Sequence, residues 1–349
     1  MRGPADKERG AVLIATLLIM AIMAALTVTL MEDVRLSIKR TANVSDYAQA
    51  DWYVRGAEDY VADVLGQRLQ SVPAEGRNQV IANINPIILP IENGVMQMTV
   101  RDGSHCFNLG SLTTSQGEAN EAAGKQFVNT LDALGVPLNQ AEGLRATLTD
   151  WVDADSQSEP GGAEDGDYLR RDPPILPANS PFASVMEVRA VQGVTPELYK
   201  ALRPWLCVGE PYVATKFNID LAEPWQAPLL AGIMGGADNL SLAKQLIADR
   251  PERGYGAMDT FLANPLLQDL PQREGEPDIA GLLQSSLIFT PQSLWVELEL
   301  SYRKAQRSRS FHFTGVDNGQ PILTYRGWGR ESFRPYLRPV DAKTASEGR

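Results

Sequence analysis

From Ala11 to Met31 the chain reads AVLIATLLIMAIMAALTVTLM, without one charged residue. About 20 apolar residues are enough to carry a helix across the hydrocarbon core of a bilayer. A soluble core helix would show polar positions at helical spacing, whereas this run offers nothing stronger than Thr16, Thr27 and Thr29. Any fold for this chain must therefore begin with a membrane segment. A removable secretory signal has a short apolar stretch that ends in small residues before its cleavage site. Here the run passes straight into a helical pattern, with Val34, Ile38, Tyr47, Val54, Val61 and Leu65 set in polar sequence and no proline before Pro73. The prediction is one long retained helix whose second half turns Tyr53, Ala57, Tyr60 and Val64 toward a globular body.

At 349 residues the chain exceeds what one hydrophobic core usually organises, which predicts two or three structural units. Its formal charge is −11, although the first ten residues carry Arg2, Lys7 and Arg9 against Asp6 and Glu8. That acidity argues against nucleic acid as a partner, because affinity for a phosphate backbone comes from clustered Lys and Arg. Two histidines far apart and two cysteines outside any C-x-x-C pair give no zinc spacing. In an oxidising compartment Cys106 and Cys207 would pair and stabilise by about 4 to 5 kcal/mol in the chain-entropy model. In a reducing one they would be two buried thiols.

After the helix, Met96, Met98 and Val100 alternate with Gln97 and Thr99, and an Asp102-Gly103 turn leads to Cys106-Phe107-Asn108-Leu109, which predicts a hairpin over 94–110. From about 120 to 285 short helical runs are broken by Pro and Gly, for example Gln126 to Leu134, Gln140 to Val152 and Leu240 to Ala248. Strand patterning returns in LWVELELSY at 294–302, with one face predicted buried and the other wet, then in Ser308 to Thr314 and Pro321 to Trp328. Polar sequence after Leu337 predicts a loose tail. The sheet is thus assembled from segments on both sides of a helical insertion.

Between Asp150 and Asp167 stand seven acids with Gly161, Gly162 and Gly166 among them. Calcium requires six to eight hard oxygen ligands on a backbone able to bend around it, and this segment has both. It lacks the glycine position and closing glutamate of an EF-hand loop. From residue types alone a solvated acidic loop is favoured over a calcium site. No Ser-His-Asp set, nucleophile elbow or phosphate loop is present, so an enzyme is not indicated. VMEVRAVQGVTPELYKALRPWL and LAKQLIADRPERGYGAMDTFLANPLL look like helix-hairpin-helix elements, and a membrane-anchored DNA-handling protein is the alternative they raise. The acidity, the membrane segment and the absence of a Gly-x-Gly amide nest favour two helical packing units instead.

Several segments carry a combined signal: the leader MRGPADKERG ending in Arg9-Gly10, the apolar helix, RDGSHCFNLGSL at 101–112, DWVDADSQSEPGGAEDGDYL at 150–169, SVMEVRAVQGVTPELYKALRPWLCV at 184–208 and RPERGYGAMDTFLANPLL at 250–267. Taken together, they resemble the K-type minor pseudopilins of bacterial type II secretion systems, the general secretion pathway protein K family, over nearly the whole chain. KFNID at 216–220 departs from the family's usual run, leaving the turn there unassigned.

The resemblance implies an α+β pilin-like fold, a long N-terminal helix on a small antiparallel sheet with a large mainly helical insertion. Its implied divisions are a leader at 1–10, a membrane span at 11–31, the rest of the helix and first strands at 32–110, the insertion at 111–285, C-terminal strands at 286–338 and the tail at 339–349. It further implies cleavage by a prepilin peptidase between Gly10 and Ala11, with methylation of the new terminus. The glutamate that most pilin-like subunits carry at the fifth mature position is replaced here by Ala15, and the K-type characteristically lacks it. A carboxylate among apolar helices is costly unless paired, so its loss suits a subunit with none above it. The implied role is therefore non-enzymatic capping of the pseudopilus tip, in the inner membrane with the globular part in the periplasm, where Cys106 and Cys207 would form a disulfide. The implied partners are the I-type and J-type minor pseudopilins and the other pseudopilins, including the major one. The resemblance also reverses the order for the acidic loop, implying one or two calcium ions held by Asp153, Asp155, Glu164, Asp165 and Asp167. Asp150 is the weakest candidate, since Trp151 places it on the preceding helix.

Overall fold

The computed structural model describes residues 5–268 and 278–330, with side chains from Ala11 onward. Leader residues 1–4 and the tail at 339–349 lie outside the described residues. One helix, α1 (Ala5–Gln70), runs unbroken through Gly10, Ala11 and Ala15 until its last turn approaches Pro73. Every residue from 11 to 45 is exposed, and the helix is long and apolar enough to cross a membrane.

Five strands form one antiparallel sheet against the second half of α1: β1 (Ile87–Ile91), β2 (Gly94–Asp102), β7 (Leu294–Tyr302), β8 (Ala305–Thr314) and β9 (Ile322–Trp328), in that spatial order. The predicted strand 294–302 is β7. Its neighbour β2 lies far away in sequence, with Asp102 opposite Leu294 and Gly94 opposite Tyr302. The predicted hairpin over 94–110 does not form: β2 turns back on β1, through Glu92-Asn93, and Asn93 takes φ 60°. Asn93-Gly94 is a strong hairpin signal. Pro90 confines β1 to the edge, where it sits.

The helix face on the sheet is Ala50, Val54, Ala57, Val61, Leu65 and Leu69, all buried against Met96, Met98, Val296, Leu298, Phe311 and Phe313. The predicted face of Tyr53, Ala57, Tyr60 and Val64 is thus rotated: Ala57 belongs to both, Tyr53 packs half-buried against the same core and Tyr302, and Tyr60 is exposed. Each fully buried Val or Leu contributes about 1.5–3 kcal/mol. Along one flank Asp46 pairs with Arg303, Asp51 with Arg307 and Arg309, and Glu58 with Arg326.

Between β2 and β7 the chain builds two helical units. The first opens with β3 (Phe107–Asn108) and contains α3 (Glu121–Ala133), α4 (Leu138–Val152), α5 (Asp165–Tyr168) and α6 (Pro196–Leu202). It closes with β4 (Leu206–Cys207), parallel to β3. Cys106 and Cys207 are joined at this closure, S–S 2.09 Å, across a separation of 101 residues. The second unit opens with β5 (Phe217–Asn218), holds α7 (Ala227–Ile233), α8 (Leu240–Ala248), α9 (Met258–Leu262), α10 (Pro265–Gln268) and α11 (Ile279–Ser286), and closes with the parallel β6 (Leu287–Ile288). A short α2 (Arg77–Asn83) connects α1 to β1.

The units echo one another. Asn108 follows Phe107 and accepts from Gly110 N, and Asn218 follows Phe217 and accepts from Asp220 N. Asn218 thereby settles the turn in KFNID, and its amide also donates to Asp102 and Asn78. Corresponding helices α3 and α7 pack together: a Cβ on Gly232 would stand 2.0 Å from Thr130 Oγ1.

The insertion also covers part of the sheet face turned away from α1. Trp295 and Glu297, predicted wet, are buried, with Trp295 against His312 and Tyr325 and Glu297 4.0 Å from Arg101. Arg203 of the first unit also lies near enough to Glu297 to interact with its charge, a relation between distant segments that alternation alone could not show.

Candidate functional site

The acidic loop starts where α4 stops. Asp153 is the C-cap of α4 in extended conformation (φ −71°, ψ 170°), and the chain then bends through Gly161, at φ 84°, to reach α5. Asp150 sits fully buried on the last turn of α4 and accepts from Glu159 N (3.1 Å) and Ser158 Oγ (3.2 Å). Gly162 is needed for this clasp, since a Cβ there would lie 1.9 Å from Asp150 Oδ2. Ala154 N donates to Gly117 O (3.0 Å), Arg145 pairs with Glu159, and Trp151 meets Tyr168 edge to face (5.1 Å) beneath the loop.

This scaffold brings Asp153, Asp155 and Glu164 together, each offering one carboxylate oxygen within 4.8 Å of the others. Asp153 and Glu164 are buried and Asp155 is exposed. Of the other two predicted ligands, Asp165 begins α5 outside this trio, and Asp167 accepts from Glu164 N and pairs with Arg170. Asp150, read from sequence as lying on the helix, is the anchor that shapes the loop. The Gly161-Gly162 pair was the available signal for so close an approach.

The trio carries unbalanced negative charge. Burial pushes the Asp153 carboxyl up to about 7, reinforced by the neighbouring Asp155, Asp150, Glu164 and Glu159 charges. Burial likewise raises Glu164, with Asp150 adding to it, and raises Asp150 despite its backbone donors. Asp153 Oδ1 and both Glu164 oxygens are buried without a hydrogen bond of ordinary geometry, although the α5 amides approach Glu164. Buried carboxylate oxygens lacking donors are costly unless a cation meets them. Three hard oxygen donors on a loop with glycine bends fit calcium, whose remaining positions carbonyls and water can fill.

The chain was compared with known proteins. The family model described as type II secretion system (T2SS), protein K matches residues 105–210, and a second model of the same description matches 218–279, close to the bounds of the two helical units. The type II secretion system protein K of Klebsiella pneumoniae is 30% identical over 278 residues, covering 78% of this chain and 85% of that protein. That of Aeromonas hydrophila is 32% identical over 261 residues, 71% of this chain and 78% of that protein. Among solved structures, a chain of the GspK-GspI-GspJ complex from the enterotoxigenic Escherichia coli type 2 secretion system superposes with a TM-score of 0.71 at 26% identity, over 83% of this chain and 99% of that one. The α+β pilin-like fold expected from sequence is the fold observed, and the chain belongs to the type II secretion system protein K family, minor pseudopilins of that apparatus.

Proposed function

We propose that this chain is a non-enzymatic subunit that caps the tip of the type II secretion pseudopilus and so supports export of folded proteins across the outer membrane. The observation that carries this reading is where the insertion leaves the sheet. The sheet end at Tyr302 and Arg303 lies beside Tyr53 and Asp46 of α1, nearer the membrane segment. The opposite end lies beside Gln70, which donates to Gly319 O. Both connections to the insertion depart from that far end, where Asp102 faces Leu294. The bulk therefore lies beyond the end of α1, where it obstructs addition of a subunit above while leaving the apolar helix available below. Ala15 supports the same reading, because no carboxylate in the span awaits a neighbour's amino terminus.

In this reading α1 anchors the chain once in the inner membrane with the globular part in the periplasm, a prepilin peptidase cleaves between Gly10 and Ala11, and the new terminus is methylated. The I-type and J-type minor pseudopilins are its direct partners, as the complex of the related structure suggests, with the major pseudopilin below. Calcium occupies the Asp153, Asp155 and Glu164 cluster and keeps the acidic loop closed. N-terminal sequencing of protein from membranes should give Ala11 first; another mature end would sink the processing step. Gold-labelled antibody to this chain should mark only the ends of pseudopili, and label along the shaft would refute tip placement.

A further inference from the structure

The Phe-Asn pair occurs twice, and both asparagines do the same local job of accepting the amide two residues on. Their side-chain amides are used differently. Asn108 Nδ2 donates to the carbonyls of Glu210 (3.0 Å) and Val213 (2.9 Å), and its Oδ1 also accepts from Gly209 N (2.8 Å). These partners all lie on the link from the first unit to the second. Asn218 Nδ2 instead donates to Asp102 Oδ2 (2.9 Å) at the end of β2 and to Asn78 Oδ1 (3.1 Å) on α2.

The backbone of Asn218 is held at the same place. Its N–H donates to Ser104 Oγ (3.1 Å), and its carbonyl accepts from His105 Nε2 (2.7 Å). Ser104 in turn donates to Asp102 Oδ1 from its amide (2.7 Å) and from its hydroxyl. Asn78 Nδ2 donates to Phe289 O (2.8 Å), shortly before the chain returns to β7. Asn218, Asp102 and His105 are all buried. One residue of the second unit thus bonds to α2 and to the strand exit through which the insertion leaves the sheet. Such a network fixes a single arrangement, because any other leaves buried polar groups unpaired.

Open space flanks this crossing. A cleft of about 260 Å³ is lined by Gly103, Ser104, Lys216, Trp295 and His312, and one of about 240 Å³ by Val100, Asp102, His105, Leu221 and Trp225. Beside the polar bonds, Leu221 packs half-buried against the core shared by α1 and the sheet. The first unit has its own hold on the sheet, where Arg203 lies near Glu297.

We propose that Asn218 is the lock that sets the angle between the insertion and the body formed by α1 and the sheet, a role that its counterpart Asn108 does not share. Because α3 and α7 pack the two units together, fixing the second unit fixes both. The lock is a property of the chain by itself and stands apart from its place in a filament.

The test uses the full-length chain in detergent with spin labels on Asp59→Cys of α1 and Asp238→Cys of the second unit, both exposed positions. The native cysteines are joined to one another and stay unlabelled. Asn218→Asp sets a carboxylate against Asp102 and withdraws both donated bonds. It should add a second distance to the single one of the unaltered chain, and speed hydrogen exchange at the Ser104 and Asn218 amides about tenfold. Combining Asp102→Asn with Asn218→Asp reverses donor and acceptor across the same contact and should bring back the single distance. Asn108→Asp should loosen residues 209–215 in hydrogen exchange and leave the distance single. An unchanged distance in Asn218→Asp, or the same second distance in Asn108→Asp, would overturn the proposal. So would a reciprocal pair that fails to recover the single distance, a result that also decides the matter if Asn218→Asp alone does not fold.

Discussion

The two helical units open and close alike, with a Phe-Asn pair and a two-residue parallel ladder, yet they are held shut by different chemistry. In the first unit a disulfide joins Cys106 to Cys207 at the ladder, and the loop after α4 gathers Asp153, Asp155 and Glu164 around unbalanced charge. In the second unit the residues at the corresponding places are Lys216 and Ile288, and the loop after α8 needs no cation. Asp220 accepts from Tyr255 N (2.7 Å) and Gly256 N (2.9 Å), while Arg250 donates to the carbonyls of Ile219 (2.9 Å) and Ala222 (2.6 Å). One unit closes with a disulfide and, in the function proposed above, with a metal ion, both of which depend on its surroundings. The other closes with a carboxylate and a guanidinium already in the chain.

The difference should be separable by experiment, and the largest effect is the covalent one. Replacing both cysteines by alanine should cost about 2–5 kcal/mol, with amide-exchange protection falling in α3 and α4 and holding in α7 and α8. Uniform loss across both units would mean that they do not close independently. Next in size, chelator should lower the stability of the unaltered protein by about 3 kcal/mol relative to calcium at a hundred times its dissociation constant. Asp153→Asn with Glu164→Gln should remove that response. A melting temperature indifferent to chelator would dismiss the ion.

Breaking the second unit should cost less and ignore calcium. Asp220→Ala leaves the buried Tyr255 amide and the half-buried Gly256 amide without their acceptor, at a cost of about 1–3 kcal/mol. Its chelator response should match that of the unaltered protein; a changed response would show that the loops are coupled. The smallest effect is that of pH. Asp153 is raised to about 7 in the folded state from an ordinary 3.8. Folding without the ion therefore favours the protonated acid, and the stability present at low pH is lost as pH rises toward 7 and levels above it. In chelator the melting temperature should fall by several degrees between pH 5 and 7.5, and calcium should flatten the slope because it replaces the proton. A flat profile in chelator would show that Asp153 is not the charged, buried group described above.

Much of this comparison was legible in the chain. Local pattern carried α1, β7, α8 and the acid-glycine content of the loop, since each depends on residues close in sequence. The missed β1 was legible too, in Asn93-Gly94 between two apolar runs, but Pro90 obscured it. What could not be read were relations set by distant segments. These include the rotation of the α1 face onto Val54 and Val61, the burial of Glu297 under the insertion, and the choice of three carboxylates among five.

The sequence by itself determined that the chain begins with a membrane-capable helix lacking a carboxylate at Ala15, that strands flank a helical insertion, and that one loop is rich in acids. These follow from periodicity, charge and residue type, which survive in any conformation. Only the tertiary structure decided that the insertion comes in two matching units, that it leaves the sheet at the end remote from the apolar half of α1, and that Asp150 clasps the loop while Asp153, Asp155 and Glu164 face one another. Those outcomes depend on which surfaces exclude water together, and that is a property of the folded chain.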